Sequence, residues 1–331
     1  MKKVFKFCAL LTLLLCSISA SARIGLEISL NRNTYMQYER ILVCVTMRNN
    51  SGRPLLFGKD PSLQGFLMFD IRDSKDRLLP KRKNAEISVT GLLLQPGEVR
   101  RMIFRLDQYY DISHCGSYQL YAYVSHNLLK DEFRSPNGYF EVAPGHVVWT
   151  HTVGLPELEG KKNSKYEERT YSIRKLKTKN DIAYYLFVED AKRIFCVSRI
   201  GQEFGTEKFQ AEVDNFSRLH LLLPISSRVF HYLAFGTNGE RLESSFWRIS
   251  NSIPGLFRDS KNGRVKRVGG DPARLGVDFA MPMSAGYKTA SQLLNENRKP
   301  AQNRPQAHPY SGVVDMGKGV MADAPGSRES E

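Results

Sequence analysis

Short runs of alternating or β-branched apolar residues, separated by turn signals, constrain the fold of this chain more than any other feature. They recur from residue 23 to residue 142, and clusters of Gly, Pro, Asn and Asp stand between them. A period of two places successive side chains on opposite faces of a strand, and short strands with regular turns are typical of two packed sheets. The sequence therefore predicts an all-β fold that opens with a β-sandwich over residues 23–143. The runs are IGLEISL, RILVCVTMRN, GFLMFDIRD, AEISVTGLLL, VRRMIFRL, GSYQLYAYVS and NGYFEV.

The stretch DISHCGSYQLYAYV places His114 beside Cys115 at the entrance of one of these runs. Gly116 is the expected backbone bend, and an alternation of apolar positions starts at Tyr118. A catalytic thiolate needs a positive environment and a third group that orients its base, whereas adjacent residues that enter a strand point to opposite sides. We therefore interpret the pair as a sandwich corner. A disulfide between Cys115 and Cys44 is an alternative that the sequence leaves open, because only the fold can bring the two Cα atoms close.

The second region, residues 144–270, contains an internal repeat. Residues 183–200 and 229–249 share a Tyr-Leu pair, a turn followed by Arg and an apolar residue, and a closing Arg-Ile. A shortened third copy, LFRDSKNGRVKRV, repeats an Asn-Gly turn, which favours a β-hairpin because both central residues adopt positive φ. Repeats of roughly 40 to 50 residues, as here, occur in propeller blades. We predict a β-repeat domain with propeller-blade-like hairpins, and a plain β-meander is the alternative.

Three segments of the first region carry a resemblance to known folds. LEISLNRNTYMQYERILVCVTMRNNSGRPLLFG, LLLQPGE and YDISHCGSYQLYAYV resemble the immunoglobulin-like sandwich of many secreted bacterial proteins of uncharacterised function. They are also similar to macroglobulin-type and proteinase-inhibitor domains, and the repeat region fits the same bacterial proteins. The resemblance covers about a third of the chain and implies a fold more than a function. The sequence departs from the frame at residues 37–40, where such domains have Gly-Glu, and at Cys115, where they have proline. No reactive loop is recognisable, so inhibitory activity does not carry over.

The two ends of the chain have distinctive compositions. Residues 1–22 form a basic start, an apolar run and a small-residue end at Ala20 and Ala22, which predicts a signal peptide cleaved after Ala22. The mature chain, without a transmembrane segment, would be secreted or periplasmic. Residues 271–331 are rich in Gly, Pro, Ala, Asn and Ser and have no sustained apolar period. They predict a disordered tail with one short helix around KTASQLLNEN.

Charge and cysteine content limit the partners and the stabilising chemistry. The formal net charge is +14, of which the three signal lysines account for 3, and the remaining +11 is spread evenly. Because a nucleic-acid reader concentrates basic residues on one face, we expect weak attraction to anionic polymers and no specific nucleic acid. The mature chain keeps Cys44, Cys115 and Cys196, which are too few for a disulfide framework. Cys196 is expected to be free and, in an apolar strand, poorly reactive.

Motifs of catalysis and cofactor binding give little. The sequence has no HExxH or GxSxG motif, and His146 and His151 in HVVWTH have a spacing that suits neither a helix face nor a strand face. We predict no catalytic, cofactor-binding or metal-binding residues. Four strand aromatics are the candidate binding residues, because exposed rings can form a sugar-stacking platform, and core packing is the competing interpretation. They are Tyr184, Tyr185, Tyr232 and Trp247.

Two classes of function remain. We favour a secreted, non-enzymatic interaction or scaffold protein of the bacterial envelope or exterior, which binds an unidentified protein or polysaccharide. The alternative is a proteinase inhibitor or a hydrolase whose site is assembled from scattered polar residues. Converging carboxylates in a cleft would favour the alternative, and a smooth pair of sheets would favour the binder.

Overall fold

The computed structural model describes residues 23–129, 131–155, 167–179, 181–205, 208–280 and 290–295. In these ranges the chain is all-β, as the sequence predicts, with two short α-helices and one 3-10 turn beside the strands. Within the described ranges, no helix is long and apolar enough to cross a membrane. The predicted signal peptide and most of the predicted tail lie outside the described residues.

Two sheets formed by residues 24–143 enclose one hydrophobic core, and we call them the first sheet pair. One sheet has the order β1-β3-β7, and the other has the order β2-β10-β8-β5, with β9 added to β8. Only the β2–β10 contact within this pair is parallel among the described strands. The elements are β1 (Ile24–Leu30), β2 (Thr34–Met36), β3 (Leu42–Asn49), β4 (Leu55–Leu56), the 3-10 turn (Pro61–Leu63), β5 (Gly65–Asp73), β6 (Leu93–Leu94), β7 (Val99–Arg105), α1 (Leu106–Tyr109), β8 (Gly116–His126), β9 (Phe133–Arg134) and β10 (Gly138–Ala143).

The corner before β8 lies where the sequence predicts it. Gly116 has a φ of +149°, a value that favours glycine. The hydroxyl of Tyr118 donates a hydrogen bond to the backbone carbonyl of His114, at 2.7 Å. Tyr118 is buried and the buried positions alternate along β8, which confirms the expected period of two. Cys115 is exposed and Cys44 is buried, and no disulfide joins them.

Two further sheets enclose a second core, and we call them the second sheet pair. Their orders are β11-β12-β13-β14 and β15-β16-β17-β18-β21, and the hairpin β19–β20 stands apart. Strands β13, β16 and β17 are buried on both faces, because each sheet is covered on its outer side as well. The elements are β11 (His146–Gly154), β12 (Glu168–Lys177), β13 (Ile182–Glu189), β14 (Ile194–Gln202), β15 (Gln210–Val213), β16 (Leu219–Pro224), β17 (Val229–Phe235), β18 (Arg241–Arg248), β19 (Gly255–Arg258), β20 (Val265–Val268), β21 (Asp271–Pro272) and α2 (Ala290–Asn295).

The two full copies of the sequence repeat form hairpins in different sheets. Residues 183–200 fall on β13 and β14, and residues 229–249 fall on β17 and β18. The turn of the second hairpin packs against the first, since a Cβ on Gly239 would lie 2.3 Å from the Cβ of Cys196. The third, shortened copy forms the hairpin β19–β20, whose Leu256 packs on the outer face of the second sheet.

The two sheet pairs meet at a buried contact that we call the joint. Only Pro144 and Gly145 separate β10 from β11. Gly145 has a φ of +68°, and a Cβ there would lie 2.6 Å from the Cε of Met36, so the connection requires glycine on two grounds. Met36, at the end of β2, packs against the outer face of the β11–β14 sheet. Its buried neighbours there are Leu176, Ala183, Tyr185 and Phe187.

Part of the predicted tail is folded against the sheets. Asp271 and Pro272 form β21, which pairs with β18, and the ring of Phe279 lies 4.8 Å from that of Phe246. The helix expected around KTASQLLNEN is present as α2, and its Leu293 is buried against the first sheet pair near β3 and β7. Residues 271–280 are therefore ordered, although their composition predicts disorder. Two strand residues are too few to show a period in the sequence.

Candidate functional site

A cleft of about 630 Å³ lies between the two sheets of the second pair, beside the residues that follow β14 and precede β15. Its volume falls in the range of ordinary ligand sites, roughly 300–1,000 Å³. Strands β11, β12 and β13 supply one wall, and β15 with the start of the β19–β20 hairpin supplies the other. The lining residues are Val148, Trp149, Lys175, Tyr184, Glu203, Lys208, Phe209, Gln210, Ala211, Glu212 and Leu256.

Three aromatic rings form the apolar part of the cleft. The rings of Tyr184 and Phe209 meet edge to face, with centroids 5.2 Å apart and an interplanar angle of 73°. Trp149 stacks on His151 at 5.9 Å and 20°. Trp149 and Phe209 are partly buried against the core of the second sheet pair. One side of each of these two rings is therefore supported by the core.

The polar part is a group of Lys175, Tyr184 and Glu203, which we call the cleft trio. The hydroxyl of Tyr184 donates a hydrogen bond to Oε1 of Glu203 at 3.1 Å, and the ammonium of Lys175 forms an ion pair with the same oxygen. Burial, reinforced by the contact with Glu203, raises the pKa of Tyr184 to about 12. The phenol is consequently neutral and a hydrogen-bond donor throughout the physiological range.

The rim of the cleft adds Lys208, Gln210 and Glu212. Oε1 of Gln210 accepts a hydrogen bond from the backbone N–H of Leu256 at 2.8 Å, which ties the hairpin β19–β20 to β15. With the cleft trio, the lining contains two lysines and two glutamates. The formal charge of the cleft is thus balanced, in contrast to the positive charge of the whole chain.

Tyr185 lies on the opposite face of β13 and belongs to a second polar group, Arg32, Glu39 and Tyr185, which we call the joint trio. Nη1 of Arg32 donates to the hydroxyl of Tyr185 at 2.5 Å, and Nη2 lies 2.6 Å from Oε1 of Glu39. The other carboxylate oxygen of Glu39 accepts from the backbone N–H of Met36 at 3.0 Å. Burial raises the pKa values of Glu39 and Tyr185. The joint trio connects the two sheet pairs from the face of β13 opposite Tyr184.

Tyr232 and Trp247 lie on a third face, the outer side of the β15–β18 sheet beneath the hairpin β19–β20. The hydroxyl of Tyr232 is 2.7 Å from Nδ1 of His220, whose Nε2 is 3.2 Å from Asp214. Burial raises the pKa of Tyr232 to about 12. The guanidinium of Arg267 covers Trp247, 3.1 Å from its ring centroid. Of the four candidate aromatics, only Tyr184 lines the cleft, and the four do not share a face.

Sequence reasoning missed Trp149, Phe209 and most of the polar lining. Trp149 lies in HVVWTH, a segment for which the prediction depended only on the spacing of the two histidines. Its signal is a strand with two adjacent valines and no charged residue, in which most positions are exposed. Phe209 carries no local signal, because its role depends on the crossing between two sheets.

The lining of the cleft contains no cysteine among the residues that the structure describes. Cys196 is free, as the sequence predicts, and burial raises the pKa of its thiol. Its Sγ lies 3.6 Å from the carbonyl oxygen of Gly239. Among the residues that the structure describes, no three His, Cys, Asp or Glu side chains are arranged to hold a metal ion.

Comparison with known proteins assigns the chain to no family. No protein-family model matches it, and no curated protein matches it. Among solved structures, it is similar to Spo0M, a sporulation control protein from Bacillus subtilis, at 12% identity, over 54% of this chain and 90% of that chain, with a TM-score of 0.22. A similarity at this TM-score carries no argument about the fold or the function.

Proposed function

We propose that this protein is an exported, non-enzymatic binding or scaffold protein whose ligand site is the cleft of the second sheet pair. The observation that carries the proposal is the cleft itself, which combines three aromatic rings with polar groups fixed by contacts inside the chain. Apolar walls with a few converging polar groups are the usual form of a ligand site.

The cleft trio supports recognition more than proton transfer. A catalytic acid or base works best with a pKa near the operating pH, and the pKa of Tyr184 is raised to about 12. Glu203 is already engaged by Tyr184 and Lys175. The trio therefore offers a ligand a fixed array of donors and acceptors.

The joint supports the scaffold part of the proposal. The joint trio and Met36 bury polar and apolar contacts between the two sheet pairs. A connection of only Pro144 and Gly145 restricts their relative movement further. A rigid pair of units presents the cleft in a fixed direction relative to the first sheet pair.

We propose that the first sheet pair belongs to the immunoglobulin-like class that its sequence resembles, and one hydrogen bond supports this. The hydrogen bond from Tyr118 to the carbonyl of His114 is the arrangement of a tyrosine corner, in which a strand-entrance tyrosine binds the backbone a few residues upstream. For the second sheet pair, the propeller-blade comparison stays a proposal, and each full repeat contributes one hairpin to a different sheet.

A hydrolase acting at the same cleft is the second candidate. The observation that favours it is the presence of two carboxylates, Glu203 and Glu212, in one lining, since a pair of carboxylates can supply acid and base in glycoside hydrolysis. Turnover of a bound ligand distinguishes the two candidate functions. If Glu203→Gln abolishes cleavage of a bound ligand and keeps its binding, the protein is a hydrolase.

Retention of material from the parent cell's envelope tests the binding proposal. Immobilised wild type is compared with Trp149→Ala, in the cleft, and Tyr139→Ala, whose side chain is 61% exposed on the outer face of the first sheet pair. We expect Trp149→Ala to lose most of the retained material and Tyr139→Ala to keep it, with melting curves that show both variants folded. Equal retention by the two variants would contradict a cleft-centred function.

Export is tested by the N-terminus of the protein from cells. The small residues Ala20 and Ala22 favour cleavage before Arg23. N-terminal sequencing of the protein recovered outside the cytoplasm should begin at Arg23. A lipid-bearing N-terminus at Cys16 would overturn both the cleavage site and the proposed soluble, exported state.

A further inference from the structure

We infer that the ligand of the cleft is a neutral carbohydrate. The inference rests on the proposed function and specifies the class of ligand that the same site binds. Three features of the lining carry it: the aromatic rings, the mixture of side-chain donors and acceptors, and the balanced charge.

The rings provide surfaces for the apolar faces of sugar units. Trp149 and Phe209 are packed from behind by the core, so their cleft-facing surfaces are held in place. Amphipathic aromatic residues bury large areas at low conformational cost. A sugar unit combines C–H faces, which suit such rings, with hydroxyls around its edge, which suit the polar rim.

The polar groups match hydroxyls in both roles. Carboxylates only accept hydrogen bonds and ammonium groups only donate them. A hydroxyl can do either, so one ligand can satisfy Glu203 and Glu212 as a donor and Lys175 and Lys208 as an acceptor. All of these groups line the same cleft. Hydrogen bonds to charged groups are about twice as strong as neutral ones, which compensates for the hydration that the sugar loses.

The charge balance favours a neutral ligand. Two lysines and two glutamates give the lining no formal charge. An anionic polymer would be attracted by the positive charge spread over the rest of the surface, but it would meet two carboxylates inside the cleft. A neutral saccharide meets no such opposition.

An extended polypeptide is the competing ligand, because β11 is an edge strand without a charged side chain. Edge strands of this kind can pair with a partner strand. The ladder of β11 is irregular between Val147 and Trp149, however, and Val148 and Trp149 are the residues of β11 that line the cleft. A bulge disrupts regular pairing locally, so the part of β11 at the cleft is a poor template for continuous pairing with a partner strand.

The test begins with the envelope material that wild type retains and Trp149→Ala does not. One portion is digested with proteinase, another is oxidised with periodate, and each is offered again to wild type. We expect binding to survive proteinase and to be lost after periodate, which cleaves vicinal diols. Loss after proteinase with survival of periodate would identify a polypeptide and overturn the inference, while the proposed binding function would stand. If no material is retained in a Trp149-dependent way, both the inference and the proposed function fail.

If the material loses binding after both treatments, its glycans are released and purified. The inference requires that these glycans compete with the intact material for binding to the protein. Failure to compete would overturn it.

Fluorescence places the sugar in the cleft. The chain has two tryptophans, and Trp247→Phe leaves Trp149 as the single reporter. The purified glycan should shift the emission of this variant in a saturable manner and leave that of Trp149→Phe unchanged. Lys208→Ala should weaken binding about tenfold, the loss of one charged hydrogen bond. If Trp247→Phe does not fold, calorimetric titration of wild type and Lys208→Ala gives the same comparison. An unchanged affinity in Lys208→Ala together with an unchanged Trp149 emission would overturn the inference.

Discussion

Tyr184 and Tyr185 are neighbours in the sequence, yet they serve two different regions of the molecule. Each hydroxyl belongs to a trio that also contains a glutamate and a cation. In the joint trio, Tyr185 and Glu39 are 1% and 7% exposed, and Arg32 closes the group. In the cleft trio, the side chains of Lys175 and Glu203 are 30% and 22% exposed.

The difference follows from the period of a β-strand. Successive side chains of β13 point to opposite faces, so one tyrosine enters the joint and the next enters the sandwich interior beside the cleft. The two trios, each made of a tyrosine, a glutamate and a cation, therefore have different roles. A largely buried trio fixes two units together, because removing one member breaks an ion pair that is shielded from water. In the cleft trio Tyr184 is buried, but Lys175 and Glu203 are partly exposed, so a ligand can reach them.

The largest expected effect comes from removing the carboxylate of the joint. Glu39→Ala should lower the free energy of unfolding by about 3 to 5 kcal/mol, because the largely buried Arg32 loses its ion pair with Glu39. The matched change in the cleft, Glu203→Ala, should cost about 1 kcal/mol or less, since its ion pair with Lys175 is partly solvated. Urea denaturation of both variants checks the difference. Equal losses would mean that the two trios are energetically alike.

Acid should affect the second sheet pair through a residue outside both trios. Burial lowers the pKa of His231 to about 4, from 6.5. The folded state therefore binds this proton less readily, and stability should fall by about 3 kcal/mol as the pH drops from 6.5 to 4. Glu39 acts in the opposite sense, because burial raises its pKa, and its contribution declines as the pH rises above the ordinary glutamate value.

Unfolding measured across this pH range in wild type, His231→Phe and Glu39→Gln separates the two contributions. The curve of His231→Phe should be flatter than that of wild type on the acid side. A curve for His231→Phe that matches wild type would show that the imidazole is not held neutral by burial.

Removing single hydroxyls compares the trios on a smaller scale. Tyr185→Phe should cost about 1 to 3 kcal/mol, because the buried guanidinium of Arg32 loses an acceptor. Tyr184→Phe should cost about 1 kcal/mol or less, because water can reach Glu203. Paired denaturation curves with equal m-values check the prediction. A larger loss for Tyr184→Phe would reverse the assignment of structural and binding faces.

The smallest effect on stability is expected at the cleft rim. Lys208 is exposed and lines the cleft. Lys208→Ala should change the free energy of unfolding by less than about 0.5 kcal/mol, while it weakens binding at the cleft. A melting temperature well below that of wild type would show that this lysine supports the fold.

The sequence predicts what depends on local order. The buried positions of β8 from Tyr118 onward and the bend at Gly116 follow from alternation and from glycine at a strand entrance. The joint and the cleft depend on contacts between distant positions. Arg32 meets Tyr185 across 153 residues, and Phe209 reaches Tyr184 only because the chain crosses between sheets after β14. Periodicity in one strand cannot show which face will be covered by another unit. The sequence therefore could not show which of the four candidate aromatics lines the cleft.

The central claim is that one face of β13 binds and the other holds the molecule together. The most direct test measures affinity for the retained envelope ligand in Glu203→Ala and Glu39→Ala, at a temperature at which both variants are folded. The account predicts an affinity about tenfold weaker in Glu203→Ala, with nearly unchanged stability, and an unchanged affinity in Glu39→Ala, with greatly reduced stability. Equal affinities in Glu203→Ala and wild type, or a weakened affinity in folded Glu39→Ala, would contradict it.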